Sequence, residues 1–177
     1  MSADGTRLAV GAIYSGATVA NAGRVHLYTL GTTSATLVSS LMSPTPIANA
    51  GFYRVALSGD GNTLSVGDNT VNGNQGVVYV FNTTDMTTPT LLGSIWGDAQ
   101  PATFVGFGGG IVMNYTGTEL LVRGDNSVYD AVRITSKSPF TFTRKHTQPS
   151  QIYTLPGTLT SGSAPPVFLS MSGDGHV

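Results

Sequence analysis

The sequence predicts an all-β fold built from repeated four-stranded sheets, and three observations predict it. A turn pattern at Ser2-Ala3-Asp4-Gly5 returns as Ser58-Gly59-Asp60-Gly61, as Asn114-Tyr115-Thr116-Gly117 and as Ser172-Gly173-Asp174-Gly175. The segments flanking these turns are short, β-branched and alternate with period two. Glycine, proline and β-branched residues leave no stretch with a 3.6-residue apolar period, so helix signals are absent.

Aligning the turn glycines places Gly5, Gly61, Gly117 and Gly175 in register, in steps of 56, 56 and 58 residues. After the turn, Leu8-Ala9-Val10-Gly11 matches Leu64-Ser65-Val66-Gly67 and Leu120-Leu121-Val122-Arg123. Before it stand Val55-Ala56-Leu57, Ile111-Val112-Met113 and Leu169-Ser170-Met171, with Met1 opposite Leu57. The expected units are about 1–50, 51–106 and 107–166, followed by a closing strand at 167–177.

The second unit reads as strands over 52–58, 63–67, 76–81 and 90–96. Its first turn needs Asp60 to bond its own backbone and Gly61 to take a positive φ. In its third strand Val78 and Val80 share one face while Tyr79 and Phe81 share the other. The first unit repeats this with Val25 and Leu27 against His26 and Tyr28. Apolar residues on both faces require a sheet covered on both sides. A four-stranded sheet of this kind, repeated about every 56 residues, is the pattern of a β-propeller blade. A β-sandwich is the rival, but it needs no repetition at that spacing.

The run Gly51-Phe52-Tyr53-Arg54-Val55-Ala56-Leu57-Ser58-Gly59-Asp60-Gly61-Asn62-Thr63-Leu64-Ser65-Val66-Gly67-Asp68, followed by Gly76-Val77-Val78-Tyr79-Val80-Phe81, resembles an FG-GAP repeat, the blade unit of integrin-α-like propellers. The third unit keeps Gly106-Phe107-Gly108, and the first keeps Val10-Gly11-Ala12. The resemblance implies a propeller that works through surface contacts. Many such blades carry a calcium loop rich in Asp. Here Asp4, Asp60 and Asp174 stand alone in their loops and Thr116 replaces the acid, so the loops read as turns.

In a propeller the ring closes when one blade takes strands from both chain ends. The segment 167–172 matches an innermost strand, and 6–11 matches a second strand whose innermost partner is lacking. The C-terminal strand can therefore complete the N-terminal blade. Three blades are fewer than the four to eight that propellers use. A second copy, the rest of a longer protein or a foreign partner is expected to complete the ring.

Composition narrows the function. Of 177 residues, 40% are hydrophobic and 10% charged, against about 25% charged in ordinary domains. A surface of Ser, Thr, Asn and Gly suits an extracellular, cell-surface or virion location. The net charge of −1 offers no field for nucleic acid or anionic membrane. There is no cysteine, no signal-peptide pattern near Met1 and no apolar run long enough to enter a membrane.

Tempting motifs have bland alternatives. Arg123-Gly124-Asp125 spells an integrin-recognition tripeptide, although Arg123 and Gly124 also fit a strand end. The glycine-rich run 106–110 precedes a strand rather than a helix, so it reads as a connection and not a phosphate loop. His26, His146 and His176 have no metal-ligand spacing, Asp125 and Asp130 read as part of a surface ion-pair set, and no catalytic triple or cofactor motif emerges. Asn82 and Asn114 begin glycosylation sequons. Residues 136–166 read as a long connection, and its Lys137, Arg144, Lys145 and His146 as a partner surface. The expected role is a non-enzymatic adhesion or virion/tail assembly module that binds a protein partner or its own copies. A carbohydrate-binding propeller lectin is the alternative, with Tyr28, Tyr79 and Trp96 as aromatic platforms for a glycan.

Overall fold

Three antiparallel sheets, none closed into a barrel, make up the computed structural model, which describes residues 1–15, 19–49, 52, 54–97, 106–123 and 129–147. The first sheet has three strands in chain order, β1 (Arg7–Ala12), β2 (Arg24–Leu30) and β3 (Ala35–Leu41). The second is a four-stranded meander of β4 (Arg54–Leu57), β5 (Thr63–Asp68), β6 (Val77–Asn82) and β7 (Thr90–Trp96). The third repeats it with β8 (Gly110–Met113), β9 (Glu119–Arg123), β10 (Tyr129–Lys137) and β11 (Phe140–Thr147). The fold is all-β. A single turn at Val71–Asn74 is assigned as helix, yet Asn72 and Gly73 within it are left-handed.

The repeat seen in the sequence is a repeat of geometry. In all three turns the second-strand carbonyl is bonded from the first turn residue: Ser2 N–H to Arg7 O, Ser58 N–H to Thr63 O, and Asn114 N–H to Glu119 O. The turn glycines Gly5, Gly61 and Gly117 have φ of 74°, 72° and 67°, a region where a side chain is strained. In the first two turns the Asp carboxylate accepts from the Ser hydroxyl and from the backbone N–H two residues on. In the third, Asn114 Oδ1 alone accepts from Thr118 N–H and Glu119 N–H, at 2.9 and 3.0 Å. One amide thus does the work shared elsewhere by Ser and Asp, which explains why Thr116 can replace the acid. A register shift falls between Leu27 and Tyr28 in the first sheet, and at the matching Val80 and Phe81 in the second.

The sheets lie side by side, with β4 next to both β1 and β8. Two apolar cores fill the gaps. The first joins Val25 and Leu27 of the first sheet to Phe52, Leu64, Val66, Tyr79 and Phe81 of the second unit. The second joins Val78, Val80 and Ile95 to Phe107, Ile111, Leu120, Val122, Val132 and Ile134. The second sheet is covered on both faces, and its Tyr79 and Val80 alternation points into two different cores, as the sequence predicts.

Phe52 and Phe107 enter these cores in equivalent ways. Each lies against a positive-φ glycine of the preceding unit, Gly23 or Gly76, where a methyl group would collide with the phenylalanine's own backbone carbonyl. Gly76 and Phe107 form a parallel bridge, and Gly106 N–H donates to Asn74 O at 2.8 Å. The close approach lets each phenylalanine sit between consecutive sheets.

One expectation fails in the third unit. Residues 136–147 are not a long connection: β10 runs on to Lys137, and Phe140–Thr147 forms the outermost strand β11. Pairing from Tyr129↔Thr147 to Lys137↔Phe140 satisfies this hairpin's backbone, which loop chemistry would have left to water. The expected closing strand at 167–177, with Gly175, lies outside the described residues, as does the rest of the expected connection, 148–166.

Candidate functional site

Two of the four residues expected to meet a partner, Lys137 and Arg144, make contacts within the molecule. Arg144 on β11 bonds Asp130 Oδ2 through Nε at 2.6 Å, with Nη2 at 2.5 Å from the same oxygen. Its Nη1 donates to Trp96 O, at the end of β7, at 2.8 Å. Its guanidinium lies 4.7 Å from the centroid of the Phe107 ring. The Asp130 side chain is 3% exposed and that of Arg144 18% exposed. A buried carboxylate requires such a partner, because an unpaired charge there costs several kcal/mol, of order 3–5. The surface ion-pair set expected around Asp130 is therefore corrected to a buried pair; Arg133 pairs with Glu119 instead, at 2.6 Å.

Lys137 ties the same two sheets at the turn end. Its Nζ donates to Thr63 Oγ1 at 2.7 Å and to Thr116 O at 3.4 Å. It also faces Asp60: burial pushes that carboxyl up, but the Ser58 hydroxyl, the Asn62 N–H and Lys137 together hold it below the usual range. Between the first and second sheets Arg7 plays the matching part. Its Nη1 donates to Gly61 O, Asn62 Oδ1 and Thr83 O at 3.1, 3.3 and 3.0 Å. Backbone bonds then run from turn to turn, Ala3 N–H to Gly59 O and Asp60 N–H to Tyr115 O. Lys145 and His146 belong to β11 opposite Ala131 and Asp130, and their side chains lie outside the described residues.

Arg123 ends β9, and its Nε is buried. Its carbonyl accepts from Gly108 and Gly109, both at 3.1 Å, so the glycine run serves as the connection expected from the sequence. Gly124 and Asp125 lie outside the described residues. Asn114 is buried within its turn, whereas Asn82 ends β6 and accepts from Thr84 N–H.

The three aromatics do not occupy equivalent places. Tyr79 is buried, its hydroxyl sharing a 2.7 Å hydrogen bond with Thr45. Tyr28 lies on the outer face of the first sheet, edge-on to His26. Trp96 is exposed beside an open cleft of about 440 Å³ lined by Thr45, Ile47, Val71, Asn72 and Gln75. Among the described residues no three His, Cys, Asp or Glu side chains are gathered as a metal ion would need, and no helix is long and apolar enough to cross a membrane.

Sequence reasoning did not single out the apolar outer face of the first sheet. Leu8, Val10 and Tyr28 face away from the first core, and Val10 is 40% exposed. Their register matches Leu64, Val66 and Phe81 in the second sheet and Leu120, Val122 and Val132 in the third. In both of those sheets all three positions are buried against the preceding sheet. The aligned Leu and Val positions carried this signal.

No family model matches the chain, and no curated protein matches it.

Proposed function

We propose that this chain is a non-enzymatic interaction module whose three sheets are FG-GAP-like propeller blades, working as an adhesion or virion/tail assembly component at an extracellular surface. One observation carries the reading: the first sheet has the register and apolar outer face of its neighbours, but no strand pairs with the free edge of β1 among the described residues. In the other sheets that position is held by β4 and β8. An unpaired edge beside exposed apolar surface is a site for strand addition. The segment 167–172, which matches β4 and β8 in sequence, is the one we assign to it, whether from the same chain or another. The low-charge, Ser/Thr/Asn-rich surface supports the extracellular location.

Amide exchange tests the assignment. In the whole chain, alternate N–H groups of Arg7–Ala12 that do not bond to β2 are expected to be protected. Ending the chain after Pro166 should expose them while leaving β5 and β9 unchanged. Free exchange in the whole chain sinks strand completion.

The cleft beside Trp96 favours one second reading, a glycan site. It offers an indole, two amides and a hydroxyl, with no charged residue in its lining. Trp96 is the single tryptophan, so saturable quenching by a neutral oligosaccharide reports occupancy directly. A flat titration across a glycan panel removes this reading.

A further inference from the structure

We infer that the cleft beside Trp96 takes an acetamido sugar, with the Asn72 side chain accepting from the sugar's N–H. The inference rests on the glycan reading above and names the class of sugar.

Hydrogen bonds within the chain brace this cleft. The Gly97 N–H donates to Gly76 O at 3.0 Å, and Gln75 Nε2 donates to Gly97 O at 2.5 Å. Asn72 Nδ2 in turn donates to Gln75 Oε1. The turn that carries both amides is therefore tied to the end of β7, where Trp96 stands. Arg144 holds the same strand end through Trp96 O. Asn72, Gly73 and Asn74 all have left-handed backbone, with φ of 54°, 66° and 70°. Residues with side chains keep that conformation where their surroundings fix it, and such positions cluster at ligand sites.

The backbone end of this amide chain sets its direction. Gly97 O can only accept, so Gln75 donates through Nε2, and its remaining Oε1 requires Asn72 to donate through Nδ2. The open end is then Asn72 Oδ1, an acceptor with no partner among the described residues, on an exposed residue that lines the cleft. Hydrogen bonds in series polarise one another, which strengthens this last acceptor. A ligand that continues the chain must donate to it.

The rest of the lining selects the donor's surroundings. Ile47, Val71 and Trp96 supply an apolar wall, with Ile47 and Trp96 exposed. An acetamido sugar brings the matching set on one ring: a C–H face for the indole, an N–H for Asn72 Oδ1 and a methyl for Ile47 and Val71. Its carbonyl stays with water, because the cleft is open. A plain hexose offers Asn72 a hydroxyl but has no methyl to cover the aliphatic wall. A charged sugar would lose hydration with no counter-charge in the lining. The cleft's volume of about 440 Å³ lies within the range of small-ligand sites.

Quenching of Trp96 by diacetylchitobiose and by cellobiose, in the whole chain, tests the inference. These disaccharides differ by an acetamido group in place of a hydroxyl on each ring. Diacetylchitobiose should bind about 10-fold or more tightly, the scale of one added group in an apolar pocket. Asn72→Gly keeps the left-handed backbone but removes the acceptor, and should weaken diacetylchitobiose by about 10-fold. Ile47→Ser should shrink the preference between the two sugars, since the acetamido methyl alone uses that side chain. Both positions are exposed, and unchanged circular dichroism and thermal midpoint confirm that each variant folds. Equal affinity for the two sugars overturns the inference and leaves the glycan reading standing. So does diacetylchitobiose binding that is unchanged in Asn72→Gly, or a preference untouched by Ile47→Ser. A flat titration with every sugar removes both.

Discussion

Asp130 and Arg144 form a buried ion pair across β10 and β11, and the same guanidinium reaches the carbonyl of Trp96 in the neighbouring sheet. The pair therefore holds two sheets together as well as two strands.

Removing the cation should be costly. Arg144→Ala leaves the Asp130 carboxylate buried without its counter-ion and strips the contact over Phe107. We expect a loss of about 3 kcal/mol in urea unfolding. Asp130→Leu combined with Arg144→Met should recover most of that loss, since apolar groups of similar size need no counter-charge. Equal losses for the single and double variants would show that the Trp96 and Phe107 contacts carry the effect.

Gly76→Ala tests the close approach of consecutive repeats. The residue sits at φ 79°, and its added methyl would meet the Phe107 backbone. A destabilisation of about 2 kcal/mol or more is expected, and Gly23→Ala should behave alike against Phe52. A neutral result at Gly76 would mean that the second and third sheets are not joined as described.

Asn114 offers a finer test of the repeated turn. Asn114→Ala leaves the N–H groups of Thr118 and Glu119 without their side-chain acceptor, at a cost of about 1–3 kcal/mol. Asn114→Asp retains the accepting oxygen and should cost much less at neutral pH. Thermal melts of the two variants separate acceptor loss from simple loss of bulk.

The turns also set a pH dependence. The Ser2 hydroxyl, then the Thr6 N–H and hydroxyl, lower the Asp4 carboxyl to about 2. The Thr87 and Thr88 hydroxyls, with the Thr87 N–H, lower Asp85 to about 2. Both values lie below the unfolded value near 3.9, so the unfolded chain binds more protons in this range. Their contribution to stability is complete above about pH 4 and fades as pH falls through about 2. Carboxyl carbon shifts followed by NMR should titrate with midpoints near 2, and midpoints near 4 would contradict the turn geometry.

Sequence by itself determined the all-β class, the three-fold repeat, the strand positions of the second unit and the two-faced burial of β6. These are local properties: period-two alternation selects faces, and an Asx turn with a positive-φ glycine is written in four residues. Tertiary structure decided where Arg7, Lys137 and Arg144 point. At strand ends such cations read as solvated or as partner contacts, but carbonyls and hydroxyls from residues up to 76 positions away along the chain capture Arg7 and Lys137 between sheets. The outer-face triplet of exposed Val10 and half-buried Leu8 and Tyr28 followed the same rule. Its side chains are ordinary core residues in the sequence, and only the position of the first sheet at the end of the stack leaves them facing outward, since burial depends on which sheet comes next in space.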